Sequence, residues 1–381
     1  MLDKHFILHL SLIDGIGPSV INTIVCNQRS DVKASDLYSF SAQEWKNCYG
    51  ISDAKAYKIV AGLSDKKVLE AELNLIARNE VKWLVIGDDR YPSLLAQIYM
   101  PPPVLYWRGG SFDETEKHLA IVGARAANMY GQRVINQLIP ELVSAGLTIV
   151  SGGALGIDAL AHEATIKSGG KTIVVLGAGL LRSSPASNRD LFKRVVDSGG
   201  LVVSSFSLLT DPLAGNFPAR NRIIAGLSHG CLVVQAAQKS GALITAHYAL
   251  EQGREVFSIP GAIDDPLSVG CHELIQRGAK LVKSAVDIIE ECGDSEPVVV
   301  RDIQTTLHDA QQLIKKKVIK ISLYSDEQQK IMNACQQSAS LDDIVRVTDL
   351  PMDVVQSELF NLQLDGKVSQ DFIGMWVVVR W

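Results

Sequence analysis

The first 80 residues carry apolar positions at helical spacing, in short segments. Two such segments, residues 6–10 and 20–25, are separated by the turn sequence GIGP at residues 15–18. A second glycine-containing turn lies at residues 49–52. Apolar residues that recur every three or four positions are typical of amphipathic helices, and strand-like alternation is missing from this stretch. The pattern predicts a small helical domain over residues 1–80.

Short continuous apolar runs replace the helical spacing from residue 81 onward. The first run is VKWLVIG, and segments with helical spacing lie between the later runs, for example at residues 133–144 and 157–167. The later runs, each bounded by Gly, Ser or Pro, lie at residues 119–122, 147–150, 172–176, 201–203, 231–234 and 255–259. Strands that alternate with helices predict βαβ units and a parallel sheet with helices on both faces. We therefore expect an α/β domain over residues 81–290.

The C-terminal part of the chain returns to helical spacing after a mixed, polar stretch. Residues 291–320 include three consecutive lysines near their end and are interpreted as a linker. Residues 321–381 then carry three helical segments, a strand, a turn near Gly374 and a second strand. The predicted helices lie near residues 326–337, 341–347 and 351–363, and the predicted strands at 366–368 and 376–379. Three helices and a terminal hairpin are the layout of a winged-helix domain.

The charges are unevenly distributed, although the net charge of −5 alone speaks against a polyanionic ligand. Residues 117–283 contain 16 Lys and Arg against 11 Asp and Glu, a balance of +5, so the rest of the chain carries −10. Residues 325–381 contain 4 Lys and Arg against 9 Asp and Glu. A basic centre between acidic flanks favours a polyanion site in the α/β domain.

Cysteine usage and the lengths of the apolar runs indicate the compartment. The six cysteines are scattered and form no CxxC pair, which argues against a zinc site or a disulfide framework. No apolar run approaches the roughly 18 residues of a membrane helix, and the N-terminus lacks the features of a signal peptide. We therefore expect a cytoplasmic protein with no metal and no membrane association. No cofactor is expected either.

Two predicted strand ends carry glycines beside polar side chains. The segment AIVGAR ends a strand at Gly123, two residues before Arg125. The segment SGGALGIDALAH places Gly152 and Gly153 between a strand and a helix, where backbone N–H groups can approach an anion. Ligands bind at this edge of α/β sheets, so both segments are candidates for a binding site. A strand-to-helix turn with a surface arginine explains the first segment equally well.

Asp158 and His162 lie four residues apart on the helix that follows these glycines and share one of its faces. They could form an acid/base pair or contribute two metal ligands. No third ligand lies at a suggestive spacing. The favoured interpretation is an aspartate that stabilises the first helical turn and a hydrogen-bonded histidine.

Two further segments combine cationic, aromatic and amide side chains. NFPARNR contains Phe217, Arg220 and Asn221, and we interpret it as a loop ahead of a helix. Arginine forks match phosphate oxygens, and a phenyl ring can stack on an unpaired base. The alternative is a buried phenylalanine with solvated arginines. KSGALIT places Lys239 beside a predicted helix N-terminus, which suggests a second anion site.

These segments, in this order, closely resemble the DprA/Smf (DNA processing) family. The resemblance is dense over residues 81–285. It extends more weakly to the N-terminal helices, which look like a helix-hairpin-helix or SAM-like module, and to the winged helix. The motifs that carry it are YPSLL, PPPVLYWRG, AIVGAR, SGGALGIDALAH, FPARNRIIAGL, KSGALIT and the segment from IPGAIDDP to LIQRGA. Seven motifs in series are highly specific.

The resemblance implies an extended Rossmann-like core that binds single-stranded DNA and catalyses no reaction. It also implies a homodimer that helps load RecA onto incoming DNA during natural transformation. By position, the implied DNA-contacting residues are Arg125, Phe217, Arg220, Asn221 and Lys239, with Gly123, Gly152 and Gly153 shaping the pocket.

The chain departs from the usual family pattern at four positions. Ser205 and Gln235 stand where glutamates are usual, Ala214 replaces a basic residue, and Ser184 replaces a tyrosine. Without these carboxylates, less of the positive charge of a basic pocket is neutralised. The missing basic side chain removes one possible phosphate contact.

Two other functions remain as alternatives. A Rossmann-like nucleotide hydrolase would use a PGGxGT loop with nearby carboxylates. The sequence contains no such loop, and Ser205 and Gln235 supply no titrating group for acid/base catalysis. A winged-helix transcription regulator would read duplex DNA and would bind duplex more tightly than single strands.

Overall fold

The computed structural model describes residues 2–28, 34–292, 326–336, 339–364, 367–370 and 375–378. The chain divides into two compact units, Met1–Pro297 and Val298–Trp381. The first unit contains the N-terminal helices and the α/β sheet, and the second contains the winged helix. Except for its first two residues, the predicted linker at 291–320 lies outside the described residues.

The N-terminal stretch folds into short helices, as predicted. They are α1 (Lys4–Ser11), α2 (Pro18–Cys26), α3 (Ala34–Leu37), α4 (Ala42–Tyr49), α5 (Asp53–Ser64) and α6 (Lys66–Arg78). Local sequence determines where several of them begin. Asp3 caps α1 by accepting the backbone N–H of His5 at 2.7 Å, and Ser41 and Glu44 form a reciprocal capping box at α4.

The described strands of the first unit form one nine-stranded sheet, in the order β1-β2-β6-β5-β4-β3-β7-β8-β9. They are β1 (Lys82–Val85), β2 (Val104–Gly109), β3 (Lys117–Val122), β4 (Leu147–Ser151), β5 (Thr172–Leu176), β6 (Leu201–Ser204), β7 (Gly230–Val233), β8 (Glu255–Ser258) and β9 (Lys280–Leu281). Every pair among β3 to β9 is parallel. At the edge of the sheet, β1 pairs antiparallel with β2, and β2 pairs antiparallel with β6. The predicted parallel α/β sheet is confirmed, and the antiparallel edge is an addition to it.

Helices cover both faces of the sheet, as the continuous apolar runs predict. They are α7 (Ser93–Ala96), α8 (Met129–Ser144), α9 (Ile157–Lys167), α10 (Arg189–Asp197), α11 (Asn216–Gly226), α12 (Gly241–Glu251), α13 (Val269–Gln276) and α14 (Val286–Cys292). Alternate residues of β3 separate the two layers. Ile121 packs in a cluster with residues of α8 and α9, and Ala120 packs in a cluster with residues of α11 and α12.

The N-terminal helices and the sheet share one apolar core. Phe6 and Trp45 from the helices are fully buried in the same cluster as Val174 of β5 and Leu208. The backbone N–H of Leu208 also donates to the Glu72 carboxylate of α6 at 2.8 Å. Residue 80 therefore lies inside a compact unit, and a domain boundary at that point stays a prediction.

The sheet reverses its strand order next to β3, which lies between β4 and β7. From β3 the chain builds β4, β5 and β6 on one side, and then β7, β8 and β9 on the other. A crevice opens at the carboxyl ends of parallel strands where such a reversal occurs. Residues that directly follow β3, β4 and β7 therefore come together at one edge.

The second unit has the predicted winged-helix layout. Its described elements are α15 (Asp326–Ala334), α16 (Leu341–Thr348), α17 (Met352–Leu364), β10 (Val368–Gln370) and β11 (Trp376–Val378). The two strands pair antiparallel. Ile331, Ile344, Leu359 and Trp376 belong to its apolar core. The predicted turn near Gly374 lies outside the described residues.

No helix in the described part of the chain has both the length and the apolar character required to cross a membrane.

Candidate nucleic-acid interface

A cavity of about 530 Å³ opens at the carboxyl edge of the sheet, beside the reversal between β3 and β7. Its walls come from the residue after β3, the start of α9 and the first turns of α11 and α12. The residues that line it include Gly123, Arg125, Asp158, Phe217, Arg220 and Asn221. Of the eight residues predicted for the DNA site, these include five; Gly152, Gly153 and Lys239 lie beside the cavity.

Arg125 and Phe217 meet at the mouth of the cavity. The exposed Arg125 side chain places its guanidinium carbon 5.6 Å from the centre of the half-buried Phe217 ring. A guanidinium over a ring face at this distance is a cation–π contact. Phe217 lies near Gly177, which follows β5. The structure thus brings together a cation and an aromatic ring that lie far apart in sequence.

The segment that carries Phe217 is helical, and its interpretation as a loop ahead of a helix is wrong. Residues 216–222 form the first two turns of α11. Pro218 is the third helical residue, and proline is tolerated in a first turn because the N–H it lacks would have no partner within the helix. Phe217 and Arg220 are therefore held on a regular element.

Arg220 lies beneath the cavity rather than on its rim. The residue is only 4% exposed. Its Nη1 donates to the backbone carbonyls of Gly152, after β4, and Val175, in β5. Burial lowers the pKa of Arg220 to about 10, against the opposing effect of Asp158. It therefore stays cationic at neutral pH and ties α11 to two strand ends. Its predicted role as a direct DNA contact stays a prediction.

The glycines after β4 fit this arrangement. A Cβ on Gly152 would collide with the Arg220 guanidinium, so only glycine permits the close approach. Gly153 has a φ of +63°, in the left-handed region that favours glycine. Gly123 follows β3 and packs closely against the side chain of Ile157 at the start of α9. All three predicted glycines thus lie where the backbone turns from strand to helix.

Asp158 organises the same loop from the first turn of α9. Its carboxylate accepts the backbone N–H groups of Gly152 at 3.1 Å and Ala154 at 3.4 Å. Burial raises the pKa of Asp158, while Arg220 and the two N–H donors oppose that rise. The carboxylate is bonded to the loop as well as lying in the first helical turn, which fits a structural role.

His162 is completely buried one turn further along α9. Its Nδ1 lies 2.7 Å from the hydroxyl of Thr172 at the start of β5. Burial, and secondarily Arg220, lower the pKa of His162 to about 3, so the ring is neutral at physiological pH. In the described part of the chain, no group of three His, Cys, Asp or Glu side chains is arranged to hold a metal ion. The favoured interpretation of a hydrogen-bonded core histidine agrees with this geometry.

The N-terminus of α12 forms another wall of the cavity that Arg125 lines. Ser240 is its N-cap and accepts the backbone N–H of Ala242 at 3.3 Å, so the helix begins where the sequence predicts. Asn221 of α11 donates to the carbonyl of Gly241 at 3.3 Å and ties the two helices together. Lys239 is exposed in the turn just before the cap. This end of the helix offers N–H groups and a nearby cation to an anion.

Sequence analysis missed the role of Asn128, the N-cap of α8. Its Oδ1 accepts the backbone N–H groups of Tyr130 at 2.9 Å and Gly131 at 3.2 Å. Asn128 ends the short loop that carries Arg125. An asparagine just before a helical apolar pattern is itself an N-cap signal and could have identified it.

An open α/β sheet with a cation-lined crevice at its point of strand reversal, followed by a winged helix, defines a Rossmann-like ligand-binding protein. The chain belongs to the DNA recombination-mediator protein A family, whose model matches residues 82–293, and a DprA winged-helix model matches residues 322–371. Membership places it among DNA-processing proteins.

Individual relatives agree with this assignment. Protein Smf of Synechocystis is 38% identical over 76% of this chain and 78% of its own. The crystal structure of DNA processing protein A from Streptococcus pneumoniae matches with a TM-score of 0.66 and 34% identity, over 77% of this chain and 99% of that one. DNA processing protein A from Helicobacter pylori, described as binding single-stranded DNA in a unique mode, matches with a TM-score of 0.50 and 29% identity, over 55% of this chain and 94% of that one.

Proposed function

We propose that this protein binds single-stranded DNA in the cavity between the ends of β3 and β7. The observation that carries the proposal is the Arg125 guanidinium over the Phe217 ring, in a cavity that the N-terminus of α12 also lines. The site thereby combines a stacking surface with two sources of positive potential. Backbone phosphates and unpaired bases are the two parts of a single strand that such a site would hold.

Each side chain has a distinct part in this proposal. Arg125 and Lys239 contact phosphate oxygens, and the free N–H groups of α12 add the positive end of its dipole. A base stacks on Phe217, which requires the Arg125 guanidinium to move aside or to cover the base. Arg220 supplies buried positive charge from beneath and fixes the strand ends.

A salt titration with a labelled oligonucleotide tests this function. Phosphate contacts release counterions, so the logarithm of the association constant should fall by about 0.7 per contact for each tenfold increase in salt. Arg125→Ala and Lys239→Ala should each weaken binding, and each should reduce the slope by about 0.7. A flat salt response, or tighter binding to duplex than to single strands, would refute the proposal.

We further propose that the protein acts as a homodimer and helps load RecA onto incoming DNA during natural transformation. This proposal is supported by the family alone, which is an argument by analogy. Light scattering at micromolar concentration should give a dimer mass, and a monomer would contradict the dimer. On strands coated with single-strand-binding protein, failure to stimulate RecA filament formation would contradict the loading role.

A further inference from the structure

Gln235 occupies a buried position directly behind the loop that carries Arg125. It follows β7 by two residues and is only 1% exposed. Its side chain makes two hydrogen bonds to one residue. The Nε2 amide donates to Asn128 Oδ1 at 2.8 Å, and Oε1 accepts the backbone N–H of Asn128 at 3.3 Å. This paired contact joins two segments that are 107 residues apart in sequence.

The loop between β3 and α8 is held at several points. Near its start, the Ala124 carbonyl accepts the N–H of Ile157 at 3.1 Å. At its end, Asn128 bonds to Gln235 and also donates from Nδ2 to Asp265 at 3.1 Å. Arg125 lies between these attachments and is exposed. Its position over Phe217 therefore depends on attachments that it does not make itself.

We infer that Gln235 is a positioning residue for Arg125, and that it acts by fixing Asn128 at the end of the loop. The inference rests on the proposed binding of single-stranded DNA. It also accounts for an amide at a position where the resemblance leads us to expect glutamate. Asn128 Oδ1 accepts two N–H groups of α8 and, in addition, a hydrogen bond from the side-chain amide of Gln235. An ionised carboxylate there could only accept.

The consequence for DNA binding is specific. If the bond to Gln235 is lost, the end of the loop loses one of its attachments, and Arg125 samples positions away from Phe217. The phosphate contact of Arg125 then weakens, while the contacts of Lys239 and α12 remain. A defect of Gln235 should therefore behave like a partial loss of Arg125, and it should have no effect when Arg125 is already absent.

A double-mutant cycle in the full-length protein tests this. Gln235→Met keeps the length of the side chain and removes both hydrogen bonds. Alone, it should weaken binding to a labelled single strand by about five- to tenfold, and it should reduce the salt slope by up to about 0.7. In an Arg125→Ala background the same substitution should change neither quantity. Gln252→Met is the matched control, because Gln252 is a partly buried glutamine at the end of α12 that bonds to the Arg222 carbonyl; it should bind like the parent.

The outcomes separate the two hypotheses. A parent protein that does not bind single strands refutes the proposed function and, with it, this inference. A parent that binds, with Gln235→Met binding equally well, overturns the inference alone. Equal weakening by Gln235→Met with and without Arg125 indicates a merely structural role and also overturns it. If circular dichroism shows that Gln235→Met is unfolded, Gln235→Glu replaces it in the cycle, because it keeps the acceptor for the Asn128 N–H and loses only the donor.

Discussion

Arg125 and Arg220 line the same cavity but have different environments. Arg125 is exposed and contacts an aromatic ring, whereas Arg220 is 4% exposed and bonds to two backbone carbonyls. In the sequence both are arginines beside glycine- or aromatic-containing motifs. Their difference arises from the fold, which buries Arg220 beneath the strand ends and leaves Arg125 exposed. We infer that Arg220 stabilises the site and that Arg125 is available to a ligand.

Arg220→Ala should therefore destabilise the protein. The substitution leaves the carbonyls of Gly152 and Val175 without their donor and leaves Asp158 buried without a nearby cation. Removing one member of a buried charged network costs about 3 kcal/mol of unfolding free energy. Urea denaturation measures this loss. Arg125→Ala, an exposed control, should stay within about 0.5 kcal/mol of the parent, and equal stability of both variants would contradict the structural role of Arg220.

Arg125 and Phe217 should contribute to DNA affinity in a coupled way. Arg125→Ala should cost about 1.5–3 kcal/mol of binding free energy, and Phe217→Ala about 1–3 kcal/mol. Because the two groups are in contact, the binding free energy lost by the double variant should differ from the sum of the two single losses by about 0.5–2 kcal/mol. Fluorescence anisotropy with a short oligonucleotide measures all three. Strict additivity would show that a bound strand engages the two groups independently.

Among the secondary-structure elements, strands were more predictable than their arrangement. The apolar runs at residues 147–150 and 172–176 coincide with β4 and β5, because strands buried on both faces are continuously apolar. An apolar run does not specify its neighbour, so the strand order and the antiparallel edge could not be predicted. The segment NFPARNR was interpreted as a loop, although its proline is compatible with the first turn of a helix, where α11 has it.

In the candidate site too, local features could be predicted from the sequence, whereas contacts between distant segments could not. Gly153 and Lys239 became candidates because glycine turns and helix starts are local signals. The burial of Arg220 and the pairing of Asn128 with Gln235 rest on contacts over 68 and 107 residues. No local pattern encodes such contacts, so they emerge only when the sheet brings its strand ends together.

The packing of α9 on β5 should make stability depend on pH. His162 has an ordinary pKa of 6.5 when unfolded and about 3 in the folded protein, because burial disfavours its charged form. The unfolded chain therefore binds a proton between these values and the folded chain does not, so stability falls as the pH decreases below 6.5. Between pH 7 and pH 5 this residue should remove about 2 kcal/mol of unfolding free energy.

Urea denaturation of the parent and of His162→Gln at both pH values checks this expectation. The variant has no titrating ring, so its stability should decrease less on acidification, by about the same 2 kcal/mol. Thr172 at the start of β5 can still bond to the glutamine amide. Parallel losses in the two proteins would show that the ring is protonated in the folded state.

At the scale of the whole molecule, the winged-helix unit carries a net negative charge, which disfavours binding to nucleic acid. Its balance over residues 325–381 is 4 Lys and Arg against 9 Asp and Glu. The helix that such domains insert into the major groove corresponds to α17, which contains Asp353 and Glu358 and no Lys or Arg. Phosphates dominate nucleic-acid affinity and would be repelled. We therefore expect this unit to contact protein rather than DNA.

Deleting residues 325–381 should leave single-strand affinity unchanged, or slightly higher at low salt, because the deletion removes a segment with 4 Lys and Arg against 9 Asp and Glu. The compact unit Met1–Pro297 contains the whole cavity, so the truncated chain retains the proposed site. Titrations at two salt concentrations measure the effect. A large loss of affinity in a folded truncation would show that the winged helix holds DNA.

The shared core of the N-terminal helices and the sheet also has a consequence during synthesis. The first helices leave the ribosome long before Leu208. The Glu72 carboxylate can accept the N–H of Leu208 only after the chain has extended by a further 136 residues. Until then, the apolar faces of these helices that Val174 and Leu208 cover remain in water. Contacts this distant in sequence form slowly and late. We therefore expect the packing of the N-terminal helices to be completed late, although this segment is made first.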